Sequence, residues 1–191
     1  MSTPAVHGLL LAAGAGTRMG RPKALVVDTS DDGAGEPWLA RSVDVLHAGG
    51  CAEVTVVLGA VVDEAVALLD GRGADVVVAH DWAEGMSSSL RAGLTSLSGS
   101  VDAALVHLVD LPDVTADVVA RVLASATGPT TLARASYDGV PGHPVLLGRD
   151  HWARVVATAT GDHGARDHLR AHDVSLVECG DLATGRDIDY A

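Results

Sequence analysis

Residues 9–23 read LLLAAGAGTRMGRPK, and this stretch decides the fold. Val6 and the run Leu9, Leu10, Leu11 are apolar, and the run stops abruptly in small residues. That is the pattern of a buried parallel strand feeding a turn. Gly14, Gly16 and Gly20 follow. Lacking a Cβ, they let backbone N–H groups approach a ligand closely. Arg18 and Lys23 sit in the same loop, so the ligand they suit is an anion, most simply a polyphosphate. The stretch predicts a nucleoside triphosphate site at the carboxyl end of the first strand, where open α/β sheets bind their ligands.

Two other glycine-rich loops fit less well. A P-loop needs G-x-x-x-x-G-K-[ST], but Gly20 is followed by Arg21 and Pro22, and no Ser or Thr follows Lys23. A dinucleotide fingerprint needs a third glycine where Met19 stands. It also meets its pyrophosphate with backbone and a helix N-terminus, which leaves Arg18 and Lys23 as unusual extras. An extended loop that wraps a triphosphate and carries its own cations fits better.

Working outward, the 191 residues suffice for one domain, 1–191, with a sizeable core. Hydrophobic residues make up 48% and charged residues 20%, which places the chain among globular proteins. Aromatics are only 3%, so the core must be Val, Leu and Ala. A net charge of -12 argues against a nucleic-acid backbone as partner. The two cysteines, Cys51 and Cys179, lack metal-ligand spacing and read as buried thiols of a cytoplasmic protein. No basic n-region opens the chain and no apolar run approaches membrane-spanning length, so neither a leader nor a membrane association is expected.

Apolar strand-like runs alternate with helical patterns, which predicts an α/β fold with a mainly parallel sheet. Strands are expected near residues 6–12, 53–58, 74–79, 103–109, 130–135, 144–147 and 174–177. Helices are expected at 37–48, with Pro37 as first residue, and at 63–69, 86–97, 115–126, 151–157 and 165–171. Residues 28–36, DTSDDGAGE, read as an acidic hairpin.

Asp110 is the second anchor, because it follows ALVHLV, the most apolar strand. A carboxylate at such a tip points into the ligand crevice, and Mg²⁺ is usually held by one or two carboxylates plus substrate phosphates. Ser87, Ser88 and Ser89 open a helix, where they either cap it or meet an anion. Arg166, near a helix start, suits a phosphate of a second substrate, though a surface role is equally open. No spacing forces a covalent nucleophile, which agrees with direct phosphoryl-type transfer.

The segment LLLAAGAGTRMGRPKAL resembles the signature of the MobA-like nucleotidyltransferases, in the nucleotide-diphospho-sugar transferase superfamily. DWAEGMSSSLRAGL, LVDLPDV, GHPVLL and GDHGAR resemble further blocks in the same order, and the likeness is nearest to the molybdenum cofactor cytidylyltransferases. The resemblance implies a three-layer α/β/α, Rossmann-like fold. It implies a Mg²⁺-dependent transfer of CMP, or another NMP, from a nucleoside triphosphate to a molybdopterin-type acceptor phosphate, with a client molybdoenzyme as a further partner. It implies Arg18, Lys23 and Asp110 as the catalytic set and Leu11, Ala12, Ala13, Gly14, Gly16 and Ser89 as further nucleotide contacts. Asp189 joins Asp110 as metal ligand, with Asp187 as the alternative, and His143 and Arg166 line the acceptor side. Ala12–Ala13–Gly14 favours CTP, since guanylyl members tend to read Ala-Gly-Gly. Similar proteins read D-I-D-T-P-E-D-L near the end, where this chain reads DIDYA. A guanylyl or sugar-phosphate transferase, or a non-catalytic nucleotide-binding or cofactor-delivery protein, are the competing readings.

Overall fold

The computed structural model describes residues 3–17, 19–27, 35–97 and 99–188. One mixed seven-stranded sheet runs through them. Its strands are β1 (Val6–Leu11), β2 (Val54–Leu58), β3 (Ala74–Val78), β4 (Ala103–Leu108), β5 (Leu132–Tyr137), β6 (Val140–Gly148) and β7 (Ser175–Glu178). Their order is β3-β2-β1-β4-β6-β5-β7. The first four strands pair in parallel, as does β5 with β7, while β6 runs antiparallel to both of its neighbours. The predicted α/β class and three-layer architecture are what the structure shows.

Alternation along the buried strands sorts the core into two layers. Leu10, Val56, Ala103 and Leu105 face α1 (Trp38–Ala48), α2 (Val62–Ala67) and α4 (Ala116–Leu123). Leu9, Leu11, Val57, Ala104 and Val106 face α3 (Met86–Ser96), α5 (Arg149–Thr158) and α6 (Arg166–Arg170). α1 shows how sequence sets an element. Leu39, Val43 and Leu46 fall on one buried face, and the chain leaves the helix through Gly49 and Gly50, the latter at φ +110°. Pro37 stands one position outside the helix, as its N-cap, and pairs with Val27 in an isolated bridge. Most of the acidic hairpin expected at 28–36 lies outside the described residues. α3 packs closely on the sheet because it carries Gly93, where a Cβ would stand 2.7 Å from Leu9. Cys51 and Cys179 are both buried and unpaired, as expected, and no helix among the described residues is long and apolar enough to cross a membrane.

The lone polar residue of β4 is His107, which is fully buried and whose Nδ1 finds no hydrogen-bond partner among the described residues. Burial pushes its pKa down to about 4, against the pull of Asp113. Unfolded, the ring takes a proton below its ordinary 6.5. The unfolded state therefore binds more protons between about pH 4 and 6.5, and stability must rise with pH across that window. Thermal melts should show Tm falling as pH drops from 6.5 toward 4, and His107→Leu should make that slope shallower. An unchanged slope in the variant would remove His107 as the cause.

Candidate functional site

Six register pairs, from Val6↔Ala103 to Leu11↔Leu108, hold β1 and β4 side by side. The two chains leave the sheet together, since Val109 N–H donates to the Leu11 carbonyl at 3.3 Å. The glycine loop after β1 and Asp110 after β4 are therefore neighbours by construction. A third loop joins them, because Ala60 N–H, just past β2, donates to the Ala13 carbonyl at 3.1 Å.

The glycine loop then folds back on itself. Gly16 has φ +62°, and a Cβ there would stand 1.8 Å from the Arg21 carbonyl oxygen. The backbone of Arg21 and Pro22 thus closes over Gly16, and Met19 N–H bonds to the Gly16 carbonyl at 3.0 Å. Gly14 differs, for among the described residues a Cβ there would meet nothing within 4 Å. Its open face is where a ligand has room to approach. The closure delivers Lys23, first residue of a single 3-10 turn, onto Asp110, with Nζ donating to Oδ2 at 2.7 Å. Both side chains are largely buried, each 18% exposed. The other carboxylate oxygen, Asp110 Oδ1, is buried without a hydrogen-bond partner among the described residues. An orphaned, buried carboxylate oxygen beside an open loop is a hard donor suited to a divalent cation.

Of the remaining expected residues, Leu11, His143 and Arg166 line one cavity with Val106, Arg134 and Leu147. Ala12 and Ala13 are buried at the end of β1. Ser89 is buried within α3 and does not line that cavity. Arg18 and Asp189 lie outside the described residues. Capping of α3 by Ser87 is not what the structure shows. The N-cap is Gly85, the Met86 N–H reaches Asp162 Oδ1 at 3.3 Å, and Ser87 Oγ accepts instead from Gly164 N–H at 3.1 Å. The 161–164 segment thereby closes over the start of α3 and carries Arg166 to the cavity wall.

Two residues escaped sequence reasoning. Arg134 Nε and Nη2 both donate to the Gly142 carbonyl, at 3.0 and 2.9 Å. Burial, and then Arg166, lower the pKa of its guanidinium, so two cations face the same cavity. The signal was an Arg inside the small, apolar strand TLARAS. The same surroundings keep His143 neutral. Burial first, then Arg134, His107 and Arg166, push its pKa down to about 3. The second residue is Asp113, whose Oδ2 accepts from Thr184 N–H at 2.7 Å, from the Thr184 hydroxyl and from Gly185 N–H. Gly185 packs on the Tyr137 ring, where a Cβ would lie 2.0 Å from the ring edge. These contacts run the final segment back to the site, and Ile188 N–H donates to the Asp110 carbonyl at 3.0 Å.

Comparisons place this geometry among known proteins. The MobA-like NTP transferase domain family matches residues 8–176. Nicotine blue oxidoreductase from Paenarthrobacter nicotinovorans is 37% identical over 97% of this chain and 93% of its own length. Among solved structures, the homologue of Rv0371c from Mycobacterium sp. strain JC1 superposes with a TM-score of 0.81, at 27% identity over 97% of this chain and 90% of that one. The manganese complex of Rv0371c from Mycobacterium tuberculosis gives 0.75, at 26% identity over 96% and 93%.

The two glycines separate folding from binding. Gly16→Ala should lower both Tm and triphosphate affinity, the latter by about ten-fold or more, since a left-handed Ala costs about 1–2 kcal/mol before the backbone clash is counted. Gly14→Ala should leave Tm unchanged and weaken triphosphate binding alone. Melting curves and nucleotide titrations of both variants check this. Unchanged affinity in both would mean that triphosphate does not use this loop.

Proposed function

Because this chain belongs to the MobA-like NTP transferase domain family, we propose that it moves a nucleotidyl group from a nucleoside triphosphate to an acceptor phosphate. The carrying observation is the Lys23–Asp110 contact of 2.7 Å with Asp110 Oδ1 left unpartnered among the described residues. One cation is aimed at phosphate, and one carboxylate oxygen is free for a metal. In the reaction, an oxygen of the acceptor phosphate attacks the α-phosphorus in line. The bond from that phosphorus to the bridging oxygen breaks, and pyrophosphate leaves with the electron pair. Lys23 and Arg18 neutralise the charge that gathers on the leaving pyrophosphate. Gly14 and Gly16 bring backbone N–H groups to the phosphates, and Leu11, Ala12, Ala13 and Ser89 contact the nucleotide.

Asp110 and Asp189 are the residues that would hold Mg²⁺, which when bound draws charge off the reacting phosphate oxygens. Asp187 is the alternative second ligand. The manganese complex of Rv0371c supports a divalent ion in this group of proteins. Arg134 and Arg166 receive the acceptor phosphate, and His143, held neutral, offers a ring nitrogen without adding charge. CTP is the proposed donor, from Ala12–Ala13–Gly14, and a molybdopterin-type phosphate is the proposed acceptor. A single domain with a cytoplasmic location and a molybdoenzyme as client fit this role.

One observation favours a second reading. The relative at 37% identity is named an oxidoreductase that acts on nicotine blue. Under that reading, the loop holds the phosphates of a reduced dinucleotide and the cavity holds nicotine blue. The Lys23–Asp110 pair speaks for the first reading, because hydride transfer has no need of a carboxylate with a free oxygen at the strand tip.

Pyrophosphate release is the deciding assay, with Mg²⁺, each of CTP, GTP, UTP and ATP, and molybdenum cofactor or sugar 1-phosphates. Release with CTP that depends on molybdenum cofactor is the expected result. Lys23→Ala and Asp110→Ala should each lower it by roughly 10²-fold or more with the fold intact, the scale for loss of a charge-stabilising group. Oxidation of NADH or NADPH in the presence of nicotine blue, with no pyrophosphate from any pair, would replace the first reading with the second.

A further inference from the structure

Away from the strand tips, three imidazoles converge between α5, α6 and the residues that follow α6. His151 Nδ1 lies 3.0 Å from His168 Nε2. The His168 and His172 rings stack with centroids 4.0 Å apart and 26° between planes. His151 meets each of them edge-on, at 5.1 and 5.6 Å. One ring nitrogen from each of the three lies within 4.8 Å of the other two. His168 is buried, His151 half-buried and His172 exposed, so the cluster is rooted in the protein and opens to solvent.

The outer hydrogen bonds decide which nitrogens are free. His151 Nε2 sits 3.1 Å from the Thr130 carbonyl, and His172 Nδ1 sits 2.7 Å from the His168 carbonyl. A carbonyl only accepts, so both of these nitrogens carry protons. The lone pairs are left on His151 Nδ1 and His172 Nε2. This backing of imidazoles by carbonyls is how metal-ligating histidines are held in place. His168 supplies the third donor. Without metal, its Nε2–H donates to His151 Nδ1. Ligation through Nε2 moves that proton to Nδ1 of the same ring, so no net proton is released.

We propose that His151, His168 and His172 bind one divalent transition-metal ion of the zinc class, with water as its fourth ligand. Zn–N bonds of about 2.0–2.1 Å place tetrahedral ligand nitrogens about 3.3 Å apart. The His151–His168 pair already stands at nearly that spacing, and exposed His172 closes the third side by leaving its stack on His168 and turning its ring plane toward the ion. Three nitrogen donors select zinc, nickel or copper over magnesium, which prefers oxygen. The site is thus chemically distinct from Asp110. Its position gives it a task. α6 has only five residues, yet its Arg166 and Leu169 line the cavity described above. An ion shared by α5, α6 and His172 staples that short helix to its neighbour and fixes the cavity wall.

The test uses the full chain, stripped with a chelator and titrated with Zn²⁺ against a chromophoric competitor. One equivalent should bind with a micromolar Kd or tighter. His172→Ala, an exposed position whose metal-free Tm should match the parent, should weaken binding by about thirty-fold or more, as expected for loss of a ligand or its support. His151→Ala should do the same, and Asp110→Asn should leave Zn²⁺ affinity unchanged. Co²⁺ in place of Zn²⁺ should give the visible bands of a tetrahedral nitrogen site, lost in His172→Ala. Absence of any equivalent tighter than about 100 µM, or an equivalent that survives both histidine variants or disappears with Asp110→Asn, would overturn the proposal.

Discussion

The parallel pairing of β1 with β4 is the constraint from which the candidate site follows. Both strands are buried throughout, apart from the first residue of β1 and the last of β4. A one-residue slip of either would turn Leu9 and Leu11 toward the wrong layer. The register is therefore fixed by the core, and the core by a sequence nearly devoid of aromatics. Once Leu11 is paired with Leu108, the backbone has no choice about where the two loops emerge. Gly16 then folds the first loop back, and Lys23, which follows the fold-back, arrives at Asp110. The Lys23–Asp110 contact is a product of β-sheet register combined with one left-handed glycine.

The ion pair that results is poised rather than stabilising in itself. A largely buried lysine and carboxylate lose hydration on being brought together, and the gain from their contact offsets that loss only if other hydrogen bonds complete the shells. Asp110 Oδ1 has no such completion among the described residues. The arrangement makes sense as a placeholder. On the proposed reading, triphosphate draws Lys23 toward anionic oxygens while a divalent ion takes over the carboxylate. Each member of the pair then exchanges its partner for one of higher charge.

The N-terminal half was legible because its signals are local. An apolar run, three glycines and a carboxylate after the most apolar strand each carry their meaning in a few consecutive residues. The half built from β5 to β7 was less legible, because its signals are relational. Arg134 looks like an interruption in a strand until β6 brings Gly142 against it. Asp113 looks like a turn residue until Thr184 and Gly185 return to it from seventy residues downstream. Ser87 reads as a cap from its own helix, yet Gly164 occupies its hydroxyl. Among the three histidines, His168 and His172 stand four apart in sequence, a spacing metal sites use, but nothing local ties His151 to them. Only the packing of α5 on α6 puts them together.

The antiparallel strand β6 explains how one family supports both a transferase reading and a relative named as an oxidoreductase. On the proposed reading, β1 to β4 build the nucleotide half, and the loop after β1 meets phosphate. β6 turns the chain back, so that Val145 and Leu147 present an apolar floor while Arg134 and His143 stand at its edge. A cavity with apolar walls and two guanidinium groups suits an apolar body that carries an anionic group, and on the proposed reading that group is the acceptor phosphate. On the proposed reading, Arg134 and Arg166 rather than the fold decide whether this cavity retains a phosphorylated acceptor, because those two cations are what the apolar walls lack.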